Sequence, residues 1–360
     1  MTGVEPAPDG ITLEELQLAA RNHGMPLEAL RYPVTPVGLH YLLIHYDIPA
    51  IDAAAWRLEV GGRVARPITL TLDDLRARPA VEITATMECA GNGRARLSPR
   101  PSGSQPWLLE AVGTATWRGA PLRPLLEEAG IQDGAAEVVF TGVDHGTEKG
   151  VEQSYQRSLP LAEALRDGVL LAYAMNGQPL QPQHGFPLRL VVPGWYGMTS
   201  VKWLARIDVL DRAFEGFQQA HAYRLRRRED EEGQPITRML PRALMVPPGH
   251  PDFLTRERMV TLGPCRLEGR AWSGQGEIVS VAVSADGGGT WSDAELERDI
   301  DSPWAWQRWT WLWEPSRPGR YELCCRARDD AGYEQPLDAA WNLGGYANNA
   351  VQRVVVVVRE

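Results

Sequence analysis

The sequence predicts two folded domains, an α+β domain followed by an all-β domain of the immunoglobulin-like sandwich type. Three observations lead to this prediction. The chain has 360 residues, which is more than one ordinary hydrophobic core accommodates. Strand and helix patterns are interleaved from residue 37 to about residue 211. From residue 278 onward, short strand patterns alternate with Gly and Pro turns. We place the domains at residues 37–230 and 231–360, after an N-terminal arm of residues 1–36.

The first part of the chain shows helix and strand signals in mixed order. A helix is predicted over residues 12–21, and short helices over residues 72–78 and 121–129 each precede a strand pattern. Residues 170–175 and 186–192 are predicted to pair as a hairpin-like unit, because the Asn-Gly dipeptide between them is a favoured tight turn.

The second part of the chain shows strand patterns without helix signals, after a charged stretch. Residues 224–232 are four arginines followed by four acids with one leucine, which is typical of a solvated linker or a surface hairpin. Strand patterns are predicted at residues 278–284, 309–313, 321–327 and 354–358. The glycines at 287–289 turn the chain after the first of these strands.

The composition restricts the classes of function. The net charge of −9 argues against general nucleic-acid binding, which requires a basic face. No apolar run reaches the roughly 18 residues of a membrane-spanning helix. Residues 1–9 lack the features of a signal sequence, and the four cysteines do not form the pattern of a disulfide framework. We therefore expect a cytoplasmic protein.

Cys89 is the most informative single residue. It ends a strand-like run and begins a Gly-containing loop with Asn92 and Arg94. A thiol at a rigid strand end near an arginine is suited to bind a soft metal or to act as a nucleophile. Taken alone, the residue is better explained as a structural cysteine buried in the core, since free cysteine is among the most buried residue types.

Two further segments carry groups suited to an anionic cofactor. One is an apolar strand pattern that ends on Asp144. In the other, His184, Arg189 and Lys202 are suited to converge on a phosphate, the arginine as a fork and the lysine as a point charge. A surface ion pair is the alternative explanation for each charged residue taken singly.

Short motifs follow one another from about residue 37 to the C-terminus. They are Cys89-Ala-Gly-Asn, Met175-Asn-Gly-Gln-Pro-Leu, His184-Gly-Phe-Pro, Val191-Val-Pro-Gly, Val201-Lys-Trp, Gly269-Arg-Ala-Trp-Ser-Gly, Asp286-Gly-Gly-Gly-Thr-Trp and Trp341-Asn-Leu. In content and order they resemble the sulfite oxidase family of molybdenum enzymes, whose core is shared by eukaryotic assimilatory nitrate reductases. The resemblance implies a mixed molybdopterin-binding domain followed by an immunoglobulin-like dimerisation domain.

The resemblance also implies a role for individual residues. Cys89 matches the thiolate that binds molybdenum beside the dithiolene of one pterin. Arg94 and Trp107 match residues at the metal and at the wall of the substrate pocket, and count with Cys89 as catalytic. The positions implied for cofactor binding are Tyr41, His45, Asp144, His184, Arg189, Ser200, Val201 and Lys202. No haem or flavin is expected.

Three positions depart from the family pattern around the substrate. Leu43 and Gly344 stand where the family has arginines, and Phe214 falls where it has a pocket tyrosine. Burying a dianion without paired charges costs several kcal/mol per ion, on the order of the Born penalty after relaxation. The pattern therefore identifies the metal more firmly than the substrate.

Three functional hypotheses follow. The first is a molybdenum oxidoreductase that transfers an oxygen atom and two electrons, with sulfite to sulfate as the family reaction. The second keeps the cofactor but takes a less anionic substrate, such as a sulfoxide, an N-oxide or another small oxo-acceptor. The third is a non-catalytic relative that retains only the fold. The first two imply a small-molecule substrate, a separate electron carrier and a homodimer formed through the C-terminal domain.

Overall fold

The computed structural model describes residues 10–360. The first nine residues of the predicted arm, to which the expectation about a signal sequence refers, lie outside the described residues. The α-helices are α1 (Leu13–Arg21), α2 (Leu72–Arg76), α3 (Leu122–Ala129) and α4 (Leu161–Ala164). Short 3₁₀ turns occupy Leu27–Arg31, Val37–Leu39, Arg94–Arg96, Pro182–His184 and Gly197–Thr199, and Gln218–Ala222 is a π-helical turn. In the part of the chain that the structure describes, no helix is both long and apolar enough to cross a membrane.

The three helices expected from the sequence are present, and their ends have local causes. Thr12 caps α1 in a reciprocal capping box, because its hydroxyl accepts from the Glu15 N–H and the Glu15 carboxylate accepts from the Thr12 N–H. Helix α2 ends two residues earlier than expected, since Arg78 precedes a proline and is disfavoured in the helical region. Helix α3 ends at Gly130, whose φ of 73° closes the last turn.

The first domain contains two β-sheets with ten strands. These are β1 (Leu58–Gly62), β2 (Ile68–Leu70), β3 (Val81–Glu88), β4 (Val112–Pro121), β5 (Glu137–Glu148), β6 (Val151–Pro160), β7 (Leu170–Met175), β8 (Gln178–Pro179), β9 (Arg189–Val191) and β10 (Leu204–Leu210). One sheet has the order β2-β1-β10-β5-β6 and is mixed, because β1 and β10 are parallel. The other has the order β3-β4-β7-β8, with β9 also pairing β7. The larger apolar core draws on both sheets and on helices α2 and α3, and a second buried cluster on β3, β4 and β7 includes Cys89.

The predicted pairing of residues 170–175 with 186–192 is present, although its turn serves a different strand. Asn176 and Gly177 have φ of 50° and 75° and connect β7 to the two-residue β8. The chain then passes through the 3₁₀ turn at Pro182–His184 and returns as β9, which pairs with residues 170–172 on the same edge of β7 as β8, while β4 pairs with the opposite edge. This detour places His184 and Arg189 at the same end of the sheet.

The second domain is a two-sheet β-sandwich. Its strands and the hairpin that precedes them are β11 (Arg224–Leu225), β12 (Gln234–Pro235), β13 (Arg242–Met245), β14 (His250–Pro251), β15 (Arg258–Thr261), β16 (Cys265–Trp272), β17 (Ile278–Ser284), β18 (Ser292–Asp293), β19 (Glu295–Glu297), β20 (Gln307–Trp313), β21 (Gly319–Asp329) and β22 (Gln352–Arg359). The sheets have the orders β13-β16-β20-β19 and β14-β15-β22-β21-β17-β18, with an apolar core between them. The charged stretch forms the hairpin of β11 and β12, and the four cysteines are free thiols.

The N-terminal segment is part of the interior and connects the two domains. Met25, Ala29 and Leu30 are buried in a core that also contains Trp272 and Trp306 of the sandwich. The Leu30 carbonyl accepts a hydrogen bond of 2.9 Å from Nε of Arg270, a side chain that is itself buried. The segment beyond residue 24 therefore stabilises the contact between the domains.

Candidate cofactor and substrate site

Strand β3 positions the Cys89 thiol. The strand becomes progressively buried from Val81 to Glu88, and Cys89 follows its last residue with 7% of its surface exposed. The Cys89 N–H donates to the Ala111 carbonyl at 2.9 Å, and its carbonyl accepts from the Asn92 N–H at 3.0 Å. Burial raises the pKa of the thiol, and the nearby Arg94 guanidinium opposes that rise. Such a thiol remains protonated until a cation such as a metal ion stabilises its thiolate.

A buried carboxylate anchors the same strand end to the second domain. The Glu88 carboxylate lies 2.9 Å from Nε of Arg242 on β13, and it accepts a hydrogen bond of 2.9 Å from the indole N–H of Trp272 on β16. Asn92 Nδ2 donates to the same carboxylate at 3.0 Å, which fixes the Cys89 loop against the strand. A buried charge that is paired and hydrogen-bonded in this way specifies one arrangement of its neighbours.

Two cavities meet at Cys89. We call them the inner cavity and the outer cavity, and they share the lining residues Leu43, His45, Cys89 and Tyr223. Seven of the eight residues implied as cofactor-binding line the inner cavity, namely Tyr41, His45, Asp144, His184, Arg189, Ser200 and Lys202. The outer cavity has a volume of about 220 Å³ and is lined by Arg94 and Trp107. The thiol is therefore accessible from both cavities.

The inner cavity contains two cations that have no carboxylate partner within residues 10–360. Arg189 is buried and donates only to the carbonyls of His184 and Ser200, at 3.1 and 3.2 Å, and to the Met87 thioether. Lys202 Nζ donates to two carbonyls, that of Leu43 at 2.6 Å and that of Gln183 at 3.1 Å. Burial lowers the pKa of Lys202 to about 7 and that of Arg189 to about 10. Arg189 is therefore still charged at neutral pH, and an anion bound between the two residues would raise the pKa of Lys202 and favour its charged form.

Other polar groups of the inner cavity are also unsatisfied. Asp144 Oδ1, Arg189 Nε and His40 Nε2 are buried and have no hydrogen-bond partner among the described residues. Burial raises the pKa of Asp144 to about 6 and lowers the pKa of His40 to about 4 and of His184 to about 3. Buried polar atoms without partners are rare in native proteins and indicate a ligand or ordered water.

Tyr41 and Val201 occupy different kinds of position. Tyr41 lines the inner cavity. Its hydroxyl lies so close to Gly197 that a Cβ added to this glycine would be only 2.3 Å from the hydroxyl oxygen. Glycine at 197 is thus required by the close approach of this side chain. Val201 does not line either cavity; it packs in the core of the first domain, and its carbonyl accepts from the Leu190 N–H at 2.8 Å. It can support the adjacent Ser200 and Lys202 but does not present its own side chain to the site.

Arg94 in the outer cavity has most of its donors engaged. Its Nε donates to the Gly344 carbonyl at 2.7 Å, and its Nη1 donates to Ser104 Oγ at 2.8 Å and to the Gln105 carbonyl at 3.0 Å. The guanidinium also lies over the Tyr346 ring, 4.9 Å from its centroid. Nη2 is the one terminal nitrogen without a protein partner in residues 10–360, so only one edge of the fork is available to a ligand.

Trp107 forms a wall of the outer cavity beside the thiol. Trp107 is 4% exposed, and its indole Nε1 is buried without a hydrogen-bond partner among the described residues. The indole N–H lies close enough to oppose the rise in the pKa of Cys89 caused by burial. Leu43, which replaces one expected arginine, lines both cavities and presents an apolar surface there.

The expectation that the site lacks a pocket tyrosine is wrong. Phe214 lines neither cavity; its N–H donates to Glu137, and its ring packs over Gly216. The π-helical turn at Gln218–Ala222 follows and carries Tyr223 into the site, where it lines both cavities. Tyr346 of the second domain adds another phenol to the outer cavity, with its ring 5.2 Å from that of Tyr223.

The second domain also shapes the Cys89 loop. The Ala347 N–H donates to the Ala90 carbonyl at 2.8 Å, and Asn348 Nδ2 donates to the Gly93 carbonyl at 2.8 Å. Gly344, which replaces the second expected arginine, contributes only its carbonyl, the acceptor for Arg94. The loop that bears the thiol is therefore held from both domains.

The outer cavity opens into a wider vestibule of about 760 Å³. The two share Arg94, Glu148, Ala222 and Tyr346 among their lining residues. The vestibule is bordered by the second domain at Trp341, Leu343 and Gly344. A ligand thus reaches Cys89 from solvent by passing first through the wide vestibule and then through the narrower outer cavity.

The residues present fit a molybdopterin cofactor. The inner cavity offers unpaired cations for a phosphate and unsatisfied acceptors and donors for a pterin ring, and it ends at a soft thiol ligand. Sequence reasoning missed His40, Glu148, Tyr155, Tyr223 and Tyr346, which also line the cavities. None of them lies in a motif with a recognisable spacing, so no local signal was available.

Comparisons with known proteins agree with this geometry. Residues 45–218 match the family described as oxidoreductase molybdopterin binding domain, and residues 234–359 match the Mo-co oxidoreductase dimerisation domain. The chain is 38% identical to sulfite oxidase of Gallus gallus over 345 residues, which covers 89% of this chain and 72% of that protein. It is 36% identical to the mitochondrial sulfite oxidase of Homo sapiens, covering 90% of this chain and 62% of that protein.

A nitrate reductase and a solved structure extend the comparison. Nitrate reductase [NAD(P)H] of Hordeum vulgare is 35% identical, with 90% of this chain and 39% of that protein covered. The crystal structure of the sulfane dehydrogenase SoxCD from Paracoccus pantotrophus has a TM-score of 0.79 and 26% identity, and the match covers 100% of this chain and 95% of that one. The chain spans about 62% of the length of the mammalian sulfite oxidases that it matches. By its two matched domains and these identities, the chain belongs to the sulfite oxidase family of molybdopterin-dependent oxidoreductases.

Proposed function

We propose that this protein is a molybdenum-cofactor oxidoreductase that transfers an oxygen atom and two electrons between water and a small substrate. The position of Cys89 at the junction of the two cavities carries the proposal. Cys89 lies between the polar inner cavity, whose cations have no carboxylate partner among the described residues, and the outer cavity, which leads to solvent. A cofactor in the first chamber and a substrate in the second would meet at the thiol.

Each lining group has a role in this proposal. Arg189 and Lys202 would bind the phosphate of the cofactor, since they are the cations that line the inner cavity and neither has a carboxylate partner among the described residues. Asp144 accepts hydrogen bonds from the pterin through the unsatisfied Oδ1, and His184 lies beside it in the cavity wall. Tyr41, His45 and Ser200 complete the wall, and Val201 supports it from the core. The Cys89 thiolate is the metal ligand.

The bound cofactor supplies the two-electron redox chemistry and the transferable oxygen. The protein orients the substrate and excludes bulk water. Trp107 and Leu43 present apolar surface beside Cys89, and the Arg94 Nη2 edge is the one cationic donor there. Fixed groups of this kind position a substrate without reorganisation during the reaction.

Sulfite to sulfate is the family reaction and the first candidate. A less anionic substrate, such as a sulfoxide, an N-oxide or another small oxo-acceptor, is the second candidate. The second is favoured by the engagement of three of the Arg94 donor positions within the protein and by the absence of arginine at Leu43 and Gly344. The similar sulfane dehydrogenase adds reduced sulfur compounds to the chemistry worth assaying.

The organisation we propose around this site has four parts. Residues 1–36 are an N-terminal arm, residues 37–230 the catalytic domain and residues 231–360 a sandwich of immunoglobulin-like type. The match to a dimerisation domain supports a homodimer formed through that sandwich. We further propose a separate electron carrier and a cytoplasmic location; the mammalian relatives are named as mitochondrial.

Elemental analysis tests the metal assignment. Purified native protein is expected to contain close to one molybdenum per chain, and the Cys89→Ser variant much less, because a hydroxyl is a poor ligand for a soft metal site. Molybdenum at the same level in both would contradict the role of Cys89. Absence of molybdenum from the native protein would favour the non-catalytic relative.

Steady-state assays on the loaded protein then distinguish the substrates. Sulfite-dependent reduction of an artificial acceptor supports the family reaction. Reduction of a sulfoxide or an N-oxide by an artificial donor, with no response to sulfite, supports the second candidate. Inertness toward every compound in a loaded protein would contradict the proposed activity while leaving the metal assignment intact.

A further inference from the structure

Glu148 is a carboxylate in the wall of the outer cavity that the proposed function does not use. It is the last residue of β5, immediately before the two-residue turn of Lys149 and Gly150, whose φ values are 50° and 80°. This tight turn fixes the strand end and holds Glu148 where the outer cavity opens into the vestibule. Its side chain is 33% exposed, so it is neither a core residue nor a free surface group.

The Glu148 carboxylate is oriented by the protein through one of its oxygens. Gln218 Nε2 donates to Oε2 at 2.7 Å, and His45 Nε2 lies 4.0 Å from the same oxygen. Gln218 is buried in the π-helical turn, where its amide also contacts the Tyr46 hydroxyl at 3.4 Å. Oε1 accepts no hydrogen bond from residues 10–360. This oxygen is therefore available as an acceptor at the point where the outer cavity opens into the vestibule.

The charge of Glu148 balances that of Arg94. Among the described residues that line the outer cavity, these two are the only Asp, Glu, Lys or Arg side chains. Burial lowers the pKa of His45, so its ring is neutral at neutral pH despite the opposing effect of Glu148. The formal charge of the outer cavity lining is therefore close to zero, and a dianion placed there has no net opposite charge to compensate its desolvation.

The negative charge of Glu148 also acts on the two phenols that line the outer cavity, those of Tyr346 and Tyr223. Burial raises the pKa of the Tyr346 phenol, Arg94 opposes this rise, and Glu148 adds to it. Burial likewise raises the pKa of Tyr223, with Glu148 among the contributing charges. These phenols remain neutral hydrogen-bond donors, and they line the space that a substrate would occupy.

The vestibule outside the outer cavity has a small excess of positive charge. Arg100 is paired with Glu15 at 2.7 Å, and Arg224 is paired with Glu232 at 3.0 Å. Of the other charges that line the vestibule, Arg94, Lys149 and Arg226 stand against Glu148 and Glu229, which leaves one formal positive charge in excess. The vestibule thus contains both signs of charge, while its volume of about 760 Å³ exceeds what an inorganic oxyanion needs.

We propose that Glu148 determines substrate specificity: it excludes inorganic dianions and binds an uncharged or cationic organic oxo-substrate through an N–H or O–H donor. The inference rests on the proposed function, because it assigns the substrate class of the same site. Glu148 Oε1 receives the donor, and the reacting group extends past Arg94 toward Cys89. An anionic substrate meets a fixed negative charge at the same point.

Equilibrium binding of sulfate to the cofactor-loaded protein, at constant ionic strength and without any electron donor, is the first test. Glu148→Gln keeps the shape and the contact with Gln218 but removes the charge. We expect it to strengthen sulfate binding by roughly tenfold, since a unit charge acts on a dianion at close range. Glu152→Gln is the matched control, because Glu152 is 77% exposed, pairs with His145 and lines neither cavity; a change below about twofold is expected.

A pair of sulfoxides of similar size, one bearing an amine and the other a carboxylate, is the second test. The native protein should prefer the amine by roughly tenfold, and Glu148→Gln should lose that preference while Glu152→Gln retains it. Tight sulfate binding by the native protein that Glu148→Gln leaves unchanged would overturn the inference, and so would an equal affinity of the native protein for both sulfoxides.

The two proposals fail in distinguishable ways. If molybdenum is bound and Glu148→Gln changes neither measurement, the assignment of Glu148 is wrong and the proposed function stands. If the native protein binds no molybdenum, both are overturned. Unfolding midpoints of the three proteins within about 2 °C of one another show that the comparison is between folded molecules.

Discussion

Replacement of Arg242 by methionine should strongly destabilise this protein, because it isolates a buried carboxylate. The side chains of Arg242 and Glu88 are 2% and 1% exposed, and their charged atoms are 2.9 Å apart. Breaking such a pair from one side costs roughly 3–5 kcal/mol, since the remaining charge is left uncompensated in the interior. The hydrogen bonds from Trp272 and Asn92 to Glu88 survive the substitution, so we expect about 3 kcal/mol, at the lower end of that range.

Urea unfolding gives the measurement, followed both by tryptophan fluorescence and by far-UV circular dichroism. Coincident transitions by the two probes justify a single free energy of unfolding. Arg298→Met is the matched control, because Arg298 contacts Glu277 at 2.7 Å but the two side chains are 37% and 51% exposed. Exposed pairs contribute at most about 1 kcal/mol, so the control should lose little.

The double variant Glu88→Gln with Arg242→Met separates charge from shape. It removes both charges together, and an uncharged glutamine can still accept from Trp272. We expect it to recover more than half of the loss caused by Arg242→Met alone, as replacement of a whole buried pair is often close to neutral. If Arg242→Met cost no more than Arg298→Met, the pair would not be a buried electrostatic contact, and the anchoring of the Cys89 strand by the second domain would be refuted.

Three further predictions concern the site itself. Gly197→Ala should lower the molybdenum content, because the new Cβ would lie 2.3 Å from the Tyr41 hydroxyl, whereas Gly38→Ala meets nothing within 4 Å and should not. In cofactor-free protein the free energy of unfolding should rise with pH above 7, by at most about 1.4 kcal/mol per pH unit. The reason is that Lys202 has a pKa of about 7 in the folded protein but 10.5 when unfolded, so the unfolded state binds one proton more. Urea unfolding of Lys202→Met at several pH values should lack this rise. Arg94→Lys keeps the charge but loses the Nε–H that donates to the Gly344 carbonyl, so amide hydrogen exchange in the Cys89 loop should become faster. Unchanged protection would contradict the role of Arg94 in holding this loop.

The inner cavity was largely predictable from the sequence. Cys89, His184 and Lys202 each lie in a short motif, Arg189 lies between two of them, and the strands and turns next to these residues set their direction locally. Cys89 follows a strand that becomes buried toward its end, and His184 lies in a 3₁₀ turn that leads into β9. Where the backbone path is encoded within ten residues, the motif and the site coincide.

The outer cavity was not predictable in this way. Its phenols come from Tyr223, which a π-helical turn rotates inward, and from Tyr346, which lies more than a hundred residues further along the chain. Phe214 was chosen by its match to the family pattern, but its N–H donates to Glu137 and its ring packs over Gly216, while Tyr223, which follows the π-helical turn, lines the cavity. Glu148 lies at the tip of a hairpin, where only the tertiary fold brings it near His45.

These contacts change what a truncated protein can show about assembly. A chain that ended near residue 230 would lose Arg242 and Trp272 opposite Glu88, together with the Gly344 carbonyl that holds Arg94. It would expose a buried carboxylate and free the loop of Cys89, so its failure to dimerise would not distinguish a missing interface from a disrupted domain. Light scattering on the full chain, with substitutions confined to the outer face of the sandwich, is therefore the informative test. Loss of dimerisation with retained molybdenum would show that the C-terminal domain has two separable roles, one in assembly and one in holding the metal-ligand loop.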